Sequence, residues 1–479
     1  MKQTFLSAFI VIFFLSNSSG QIRGVTFKSS DTALEHAFAW AKSTALHYRH
    51  DSGDPVGPWY DASLPGRSAF CMRDVSHQSI GAEILGMSKE NNNMFTKFVT
   101  NISKSKDWCS YWEINKWNKP APVDYRNDKE FWYNLDANFD VLYACWRLYL
   151  WTGDKTYISS PAFVNFYEKT LNNYIQAWAL EVDSLLTRPL HPDAPVPINP
   201  NDPFQSNRGL PSYVESIPNL KMTADLIAAI YQGFVSYSGI LKEKGKLNES
   251  QYYLKKAKSY KQEFYSKWWN QKKGLYNTYY TTDNKFGMGL GNTFLLWFNI
   301  LHKTSRVNAT LDHLSSIQLN VESTSYLPYI FYEDGRYEQA YKYLLYLSNP
   351  NTKRREYPEV SYGVLQGIVL GYMGIEPDAC NLTLSTCFRG KHETIAELNS
   401  LPILQTTIDL KYNGYKSTTI ANTGKSAFFW KAVFPGRHAS IYIKSKAVSS
   451  KIEYTMNNNV CSFSVIKVKP GERVTAIVK

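Results

Sequence analysis

Beyond its first twenty residues the 479-residue sequence has no apolar run approaching the roughly 20 residues that a bilayer-spanning helix needs, so no membrane span is expected in the mature chain. Cysteine is sparse. There are six, and no pair has zinc-ligand spacing, so neither a dense disulfide framework nor a structural zinc site is expected. Cys380 and Cys387 flank a short loop that could close into a bridge in an oxidising compartment, while Cys71, Cys109 and Cys145 lie among aromatic residues and read as buried thiols. There is no low-complexity tract. The alternating glycines of Gly287 to Gly291 follow no strand and have the wrong spacing for phosphate binding. Neither a metal nor an organic cofactor is expected. Acidic residues are in deficit, 41 against 53 basic ones, giving a net charge of +12. The basic residues are spread rather than clustered, which disfavours nucleic acid and leaves carbohydrate, including anionic glycan, as the expected partner.

What is present begins with Lys2, an apolar stretch from Phe5 to Leu15 and small residues from Ser16 to Gly20. This is the pattern of a secretory signal over residues 1–20, cleaved near Gln21, so export to a periplasmic or extracellular location is expected. Aromatic residues make up 15% of the chain, with 34 Tyr and 13 Trp prominent among them. Both side chains suit positions where one end stays wet, as in a carbohydrate cleft.

Up to about residue 378 the chain reads as helix after helix, twelve in consecutive pairs, most with an apolar stripe at the 3.6-residue period. They are expected near 31–47, 68–87, 91–103, 131–152, 157–181, 218–243, 248–269, 288–302, 307–318, 322–333, 336–348 and 359–373. Long connections at 49–67, 104–130 and 182–217 carry aromatic, acidic or arginine residues, and long loops in a compact domain are usually functional. From about Thr406 the period switches to alternation, with Asn413-Gly414 as a hairpin signal and Pro470-Gly471-Glu472-Arg473 as a turn. The expected division is a helical catalytic domain over 21–395 and a small antiparallel β module over 396–479.

Functional candidates cluster in the segment from Trp59 to Gln78, which brings Trp59, Tyr60, Arg67, Arg73, Asp74 and His77 into a loop entering a helix. An aromatic ring offers a flat face to the CH side of a pyranose, and an Arg-Asp pair can grip hydroxyls that would otherwise lose their water. The same residues also fit an aromatic-lined hinge with a structural Arg73–Asp74 ion pair and a core histidine. Asp136 and Asp140 stand four residues apart at a helix start, where the dipole favours Asp, and Asp136 is the substrate-binding candidate of the two. Glycosidic cleavage needs one carboxylic acid to protonate the leaving oxygen and a second carboxylate to activate water or attack C1. Glu215 lies among Tyr213, Val214, Ile217 and Pro218, where desolvation should keep it protonated as the general acid. Glu359, after Pro358, is the favoured base because a helix N-terminus could hold it ionised. Glu356 competes with it, although Arg354 and Arg355 beside it can simply pair with it. Arg355 joins the substrate-binding candidates.

Cys71-Met72-Arg73-Asp74, Tyr213-Val214-Glu215-Ser216 and Arg354-Arg355-Glu356-Tyr357-Pro358-Glu359, set among paired helices, carry a family likeness. The chain resembles the six-hairpin, (α/α)6-toroid glycoside hydrolases of the glucoamylase-like type, in an exported bacterial form. The resemblance implies an all-α toroid with the β module at its side, a sugar-gripping Arg-Asp after the first helix, an acid before the sixth and a base before the last. It also implies an inverting hydrolase that removes terminal sugars from oligo- or polysaccharides. A uronate-specific enzyme such as a glucuronidase would reconcile this activity with the positive charge. Two other readings stand beside it. A polysaccharide lyase would bring His77, Arg73 and a loop tyrosine together and leave Glu215 and Glu359 apart. A non-catalytic glycan-binding protein would have an aromatic cleft without an opposed carboxylate pair.

Overall fold

A computed structural model describes residues 24–50, 53–189, 204, 207–215, 217, 219–455 and 459–479. The expected secretory signal lies outside the described residues, as does part of the 182–217 connection. No helix among the described residues is long and apolar enough to cross a membrane.

In chain order the helices alternate between first and second members: α1 (Thr32–His47) then α2 (Met72–Ile84), α3 (Ser88–Thr100) then α4 (Ala137–Thr152), and α5 (Pro161–Glu168) then α6 (Ala224–Glu243). There follow α7 (Leu247–Lys267) then α8 (Asn292–Trp297), α9 (Thr304–Ser316) then the broken helix α10 (Val321–Ser325) and α11 (Leu327–Glu333), and α12 (Tyr337–Ser348) then α13 (Pro358–Gln366). First members pack on the preceding second member, as α3 does on α2, α7 on α6 and α12 on α11, and α1 packs on α13. In α1 the Asp31 side chain caps the Leu34 amide, and Leu34, Ala37, Phe38, Ala41 and Ala45 form its buried stripe. The second members pack in a cycle: α2 on α4, α4 on α6, α6 on α8, α8 on α11, and α10 and α11 on α13, which returns to α2. Backbones approach closely where α2 meets α13, since a Cβ on Gly81 would lie 2.7 Å from the Tyr362 carbonyl oxygen.

The all-α expectation is corrected by the strands, which make up 24% of the structure against 42% helix. A seven-stranded sheet runs in the order Thr26–Ser29, Ile395–Ile403, Thr406–Asn413, Ser417–Asn422, Arg473–Ile477, Ser440–Ile443, Lys446–Ser449. Its first strand comes from the N-terminal side of the helices, a pairing across more than 360 residues that no local pattern reveals. A five-stranded sheet orders Ile375–Asp378, Thr383–Cys387, Phe428–Pro435, Val460–Val468 and Lys451–Tyr454. Nor are the sheets wholly antiparallel, because Thr383–Cys387 runs parallel to Phe428–Pro435. The Asn413-Gly414 hairpin forms, with Gly414 at φ +53°. The Pro470-Gly471 turn instead joins strands of different sheets. The Cys380–Cys387 bridge is absent, and all six cysteines are free thiols.

Four helices, α2, α4, α6 and α8, start later than their apolar periodicity suggests, and α2 does so because Ala69–Cys71 forms a strand. Tyr133–Asn134 pairs in parallel with Arg208–Leu210, and Leu220–Thr223 pairs with Tyr279–Thr281, so backbone that reads as helix is drawn into short strands. The Ile395–Ile403 strand packs on α2 and α4, and the Trp151 indole near the C-terminal end of α4 donates to the Pro402 carbonyl at 3.0 Å. The starts of the inner helices lie at the opposite end of the ring.

Candidate active site

The inner-helix starts and the long connections enclose a cleft of about 470 Å³, within the size range of small-molecule sites. The Ala69–Cys71 strand pairs with Glu113–Asn115 and feeds directly into α2, which fixes Arg73 and Asp74 at its first turn. Arg73 is the hub. Its Nη1 lies 3.3 Å from Glu215 Oε1 and donates to the Tyr213 carbonyl at 3.4 Å, and its Nε is 3.9 Å from Asp74 Oδ1. The guanidinium sits 5.4 Å from the Trp112 ring centroid and 5.5 Å from that of Tyr213, so aromatic faces restrain it on the sides its hydrogen bonds leave free.

The strand pairing at 133–134 has a direct consequence here, because it places the Asn134 amide to donate to Glu215 Oε1 at 3.1 Å. The loop carrying Glu215 is anchored from below. Asp225, at the start of α6, accepts from the Tyr213 backbone N–H and the Ser212 hydroxyl, both at 3.0 Å, and the Tyr213 hydroxyl donates to Asp140. The Glu215 side chain is 36% exposed and its Oε1 accepts from the Arg73 guanidinium and the Asn134 amide.

Glu359 lies in the first turn of α13 and is only 7% exposed. Burial, reinforced by nearby Asp74, holds its pKa well above the usual glutamate value despite a backbone hydrogen bond and Arg73. The helix N-terminus therefore does not keep it ionised, because desolvation outweighs the dipole. Asp74 is pushed up to about 7, first by burial, with Arg73 pulling the other way.

The remaining expected residues separate cleanly. Arg67 lines the cleft and binds the buried carboxyls of Glu113 at 2.8 Å and Asp124 at 3.3 Å. His77 also lines it, stacked on Tyr326 with its Nε2 3.0 Å from Ser325 Oγ, and burial lowers its pKa to about 3, so it is neutral. Trp59 and Tyr60 offer no face to a sugar. Both are fully buried, the indole donating to Asp54 at 2.8 Å and the phenol to Asn91 at 2.7 Å, because their short strand points them into the core. Asp136 is likewise buried beneath the floor and does not line the cleft, and burial pushes its pKa up to about 7. Glu356 is exposed outside the cleft, with its carbonyl accepting from the Tyr48 hydroxyl. Arg355 turns outward to the Ser348 carbonyl and the Trp40 ring, whereas its neighbour Arg354 lines the cleft and pairs with Glu322 at 2.6 Å.

The sequence reading did not find Glu113, Asp124 and Glu322. Glu113 and Asp124 fall within the long 104–130 connection, and nothing local marked Glu322. Trp112, Trp132, Tyr213, Phe294 and Tyr326 supply the aromatic walls. Six carboxyls line the cleft against three guanidiniums, and each guanidinium is engaged by carboxylate partners. Among the described residues no cluster has the make-up of a metal site.

No protein-family model matches this chain, and no curated protein does. Solved structures do. An alpha-L-rhamnosidase from Dictyoglumus thermophilum aligns at TM-score 0.57 with 14% identity, covering 95% of this chain and 50% of its own. An alfa-L-rhamnosidase from Aspergillus terreus aligns at 0.55 with 12% identity, covering 94% and 50%. A chain described as a kojibiose phosphorylase, from the human microbiome, aligns at 0.53 with 10% identity, covering 94% and 68%. The present chain thus spans about half the length of these two rhamnosidases. At such identities the likeness shows a shared six-hairpin glycosidase-like fold, without specifying a glucoamylase-like type.

Proposed function

We propose that the protein is a glycoside hydrolase that removes a neutral sugar in this cleft. The observation that carries the reading is the meeting, on one cleft, of a buried carboxyl whose pKa desolvation raises, Glu359, and a solvent-reached, arginine-paired carboxyl, Glu215. One can protonate the departing oxygen while the other activates water, so the roles are reversed relative to those the sequence suggests. Asp74 and Arg73 are placed to grip sugar hydroxyls, and the aromatic walls to face the ring's CH surfaces.

The charge on the cleft argues against the uronate variant. The net +12 is not concentrated here, and each lining guanidinium is already engaged by a carboxyl, so none is free to receive a substrate carboxylate. The same argument weighs against phosphorolysis, since the lining guanidiniums already hold carboxylates. A lyase would need a base near a cation that neutralises a uronate. His77 is instead held in an aromatic stack, and Arg73 is held by Glu215.

The test is incubation of the mature protein with a panel of neutral and uronic aryl glycosides and plant and host glycans. Release of a neutral monosaccharide supports the reading. Release of a uronic acid, or a product with the ultraviolet absorbance of an unsaturated uronate, overturns it.

A further inference from the structure

Part of the positive charge that the cleft does not use is gathered on the outer wall of the ring. Residues 255–261 of α7 hold four lysines and no acid. The helix buries only Ser250, Ala257, Tyr260 and Phe264, so most of its surface stands in solvent. Lys258, Lys261, Gln262 and Tyr265 line an open pocket of about 310 Å³ together with His302 and Lys303, which precede α9. Aromatic contacts bring the two segments together. The Tyr265 hydroxyl accepts the His302 amide at 2.8 Å, and the two ring centroids lie 4.5 Å apart. The Lys303 ammonium sits 5.7 Å from the Tyr265 ring centroid and the Arg306 guanidinium 5.1 Å from it.

No carboxylate answers this charge. Among the described residues none pairs with Lys258, Lys261, Lys303 or Arg306, and the one acid of residues 255–267, Glu263, is taken by Lys267 at 2.6 Å. The His302 pKa is lowered by burial and then by Lys261, Lys303 and Arg306, all cations, and burial alone lowers that of Lys261. Like charges held this close repel one another, and a bound anion removes that cost. A ligand can reach them. Lys258, Gln262, His302 and Lys303 are exposed, and Lys261 and Tyr265 are half-buried.

We propose that this pocket is a non-catalytic site for an acidic sugar unit of a glycan, whose carboxylate or sulfate is held by Lys258, Lys261 and Lys303. Lysine supplies mobile point charges that can follow an anion on a flexible chain, and the Tyr265 and His302 rings beside them give the sugar's CH surface an apolar contact. The volume admits one pyranose ring. A nucleic acid would need cations in a row along its phosphates, whereas the neighbouring Lys256 turns aside to the Tyr252 ring, 5.4 Å from its centroid. The cleft takes a neutral unit and this pocket an acidic one, and the assignment stands whatever the chemistry of the cleft.

The experiment measures binding of the full chain to immobilised polygalacturonate, dextran sulfate and dextran at low ionic strength. At least one acidic polymer should bind more tightly than dextran, polygalacturonate marking a carboxylate site and dextran sulfate a sulfate site. Lys258→Gln with Lys303→Gln, both at exposed positions, should weaken that binding by about tenfold, and arginine at the same two positions should retain it. Lys451→Gln with Lys467→Gln removes the same charge from exposed positions on the five-stranded sheet and should leave binding unchanged. Binding of neither acidic polymer above dextran overturns the proposal. So does an equal loss from the two glutamine pairs, or binding of single-stranded DNA that is as tight and as sensitive to Lys258→Gln with Lys303→Gln.

Discussion

Replacing Glu359 by glutamine tests the division of labour in the cleft. The swap keeps the shape of a side chain that is 7% exposed and removes the proton that burial and Asp74 hold on it. A general acid contributes about 10² to 10⁴-fold, so kcat/KM on a glycoside with a poor leaving group should fall by that factor, or about 3 to 5 kcal/mol of barrier. A nitrophenyl glycoside leaves with little need of protonation and should lose less than about tenfold. The pH profile gives a second readout. Burial and nearby Asp74 raise the Glu359 pKa, so a rate that needs its proton falls on the alkaline side, and Glu359→Gln should abolish that alkaline limb. The assay is steady-state kcat/KM on an alkyl and a nitrophenyl glycoside of the same sugar from pH 4 to 9. Equal losses on both substrates, or a retained alkaline limb, would refute the assignment of the proton to Glu359.

Glu215→Gln should impair both leaving groups alike, by about 10² to 10⁴-fold, because water still needs its base; steady-state rates on the same pair of glycosides check this. Arg73→Ala removes the cation that lowers Asp74 and positions Glu215, so KM should rise and any Asp74 inflection should move above about 7 in the pH–rate profile. Asp136 goes from 3.8 to about 7 on folding, so its contribution to stability is present below about pH 4 and is lost as pH rises through about 7. Asp136→Asn should therefore flatten the decline of melting temperature between pH 5 and 8. Gly81→Ala would place a methyl group 2.7 Å from the Tyr362 carbonyl, and chemical denaturation should show a loss of about 1 to 3 kcal/mol.

The helical character of much of residues 31–373 was legible because apolar residues recur at the helical period, as the buried stripe of α1 illustrates, although the single helix expected at 157–181 is broken into shorter pieces. Strands such as Thr26–Ser29 and Tyr133–Asn134 were not, since two to four residues give no period and their partners lie far along the chain. At the cleft, Arg67, Arg73, Asp74, His77, Glu215 and Glu359 could be picked out from residue type beside a helix start. The fate of Trp59, Tyr60 and Asp136 could not, because whether an aromatic or an acid faces a cleft or a core depends on the rotation of its element. The burial of the two glutamates was hidden for a related reason. Apolar neighbours of Glu215 in sequence do not bury it, whereas Asp74 approaches Glu359 only through the packing of α2 on α13.

As a glycoside hydrolase, the protein would add water across the glycosidic bond of a neutral sugar in this cleft. Digestion of a susceptible oligosaccharide in H2¹⁸O, followed by mass spectrometry of the products, tests it most directly. The expected product is a neutral monosaccharide carrying one ¹⁸O, released by the wild-type protein and at a rate at least about 10²-fold lower by Glu215→Gln. An unsaturated product without ¹⁸O, or equal release by both proteins, would contradict it.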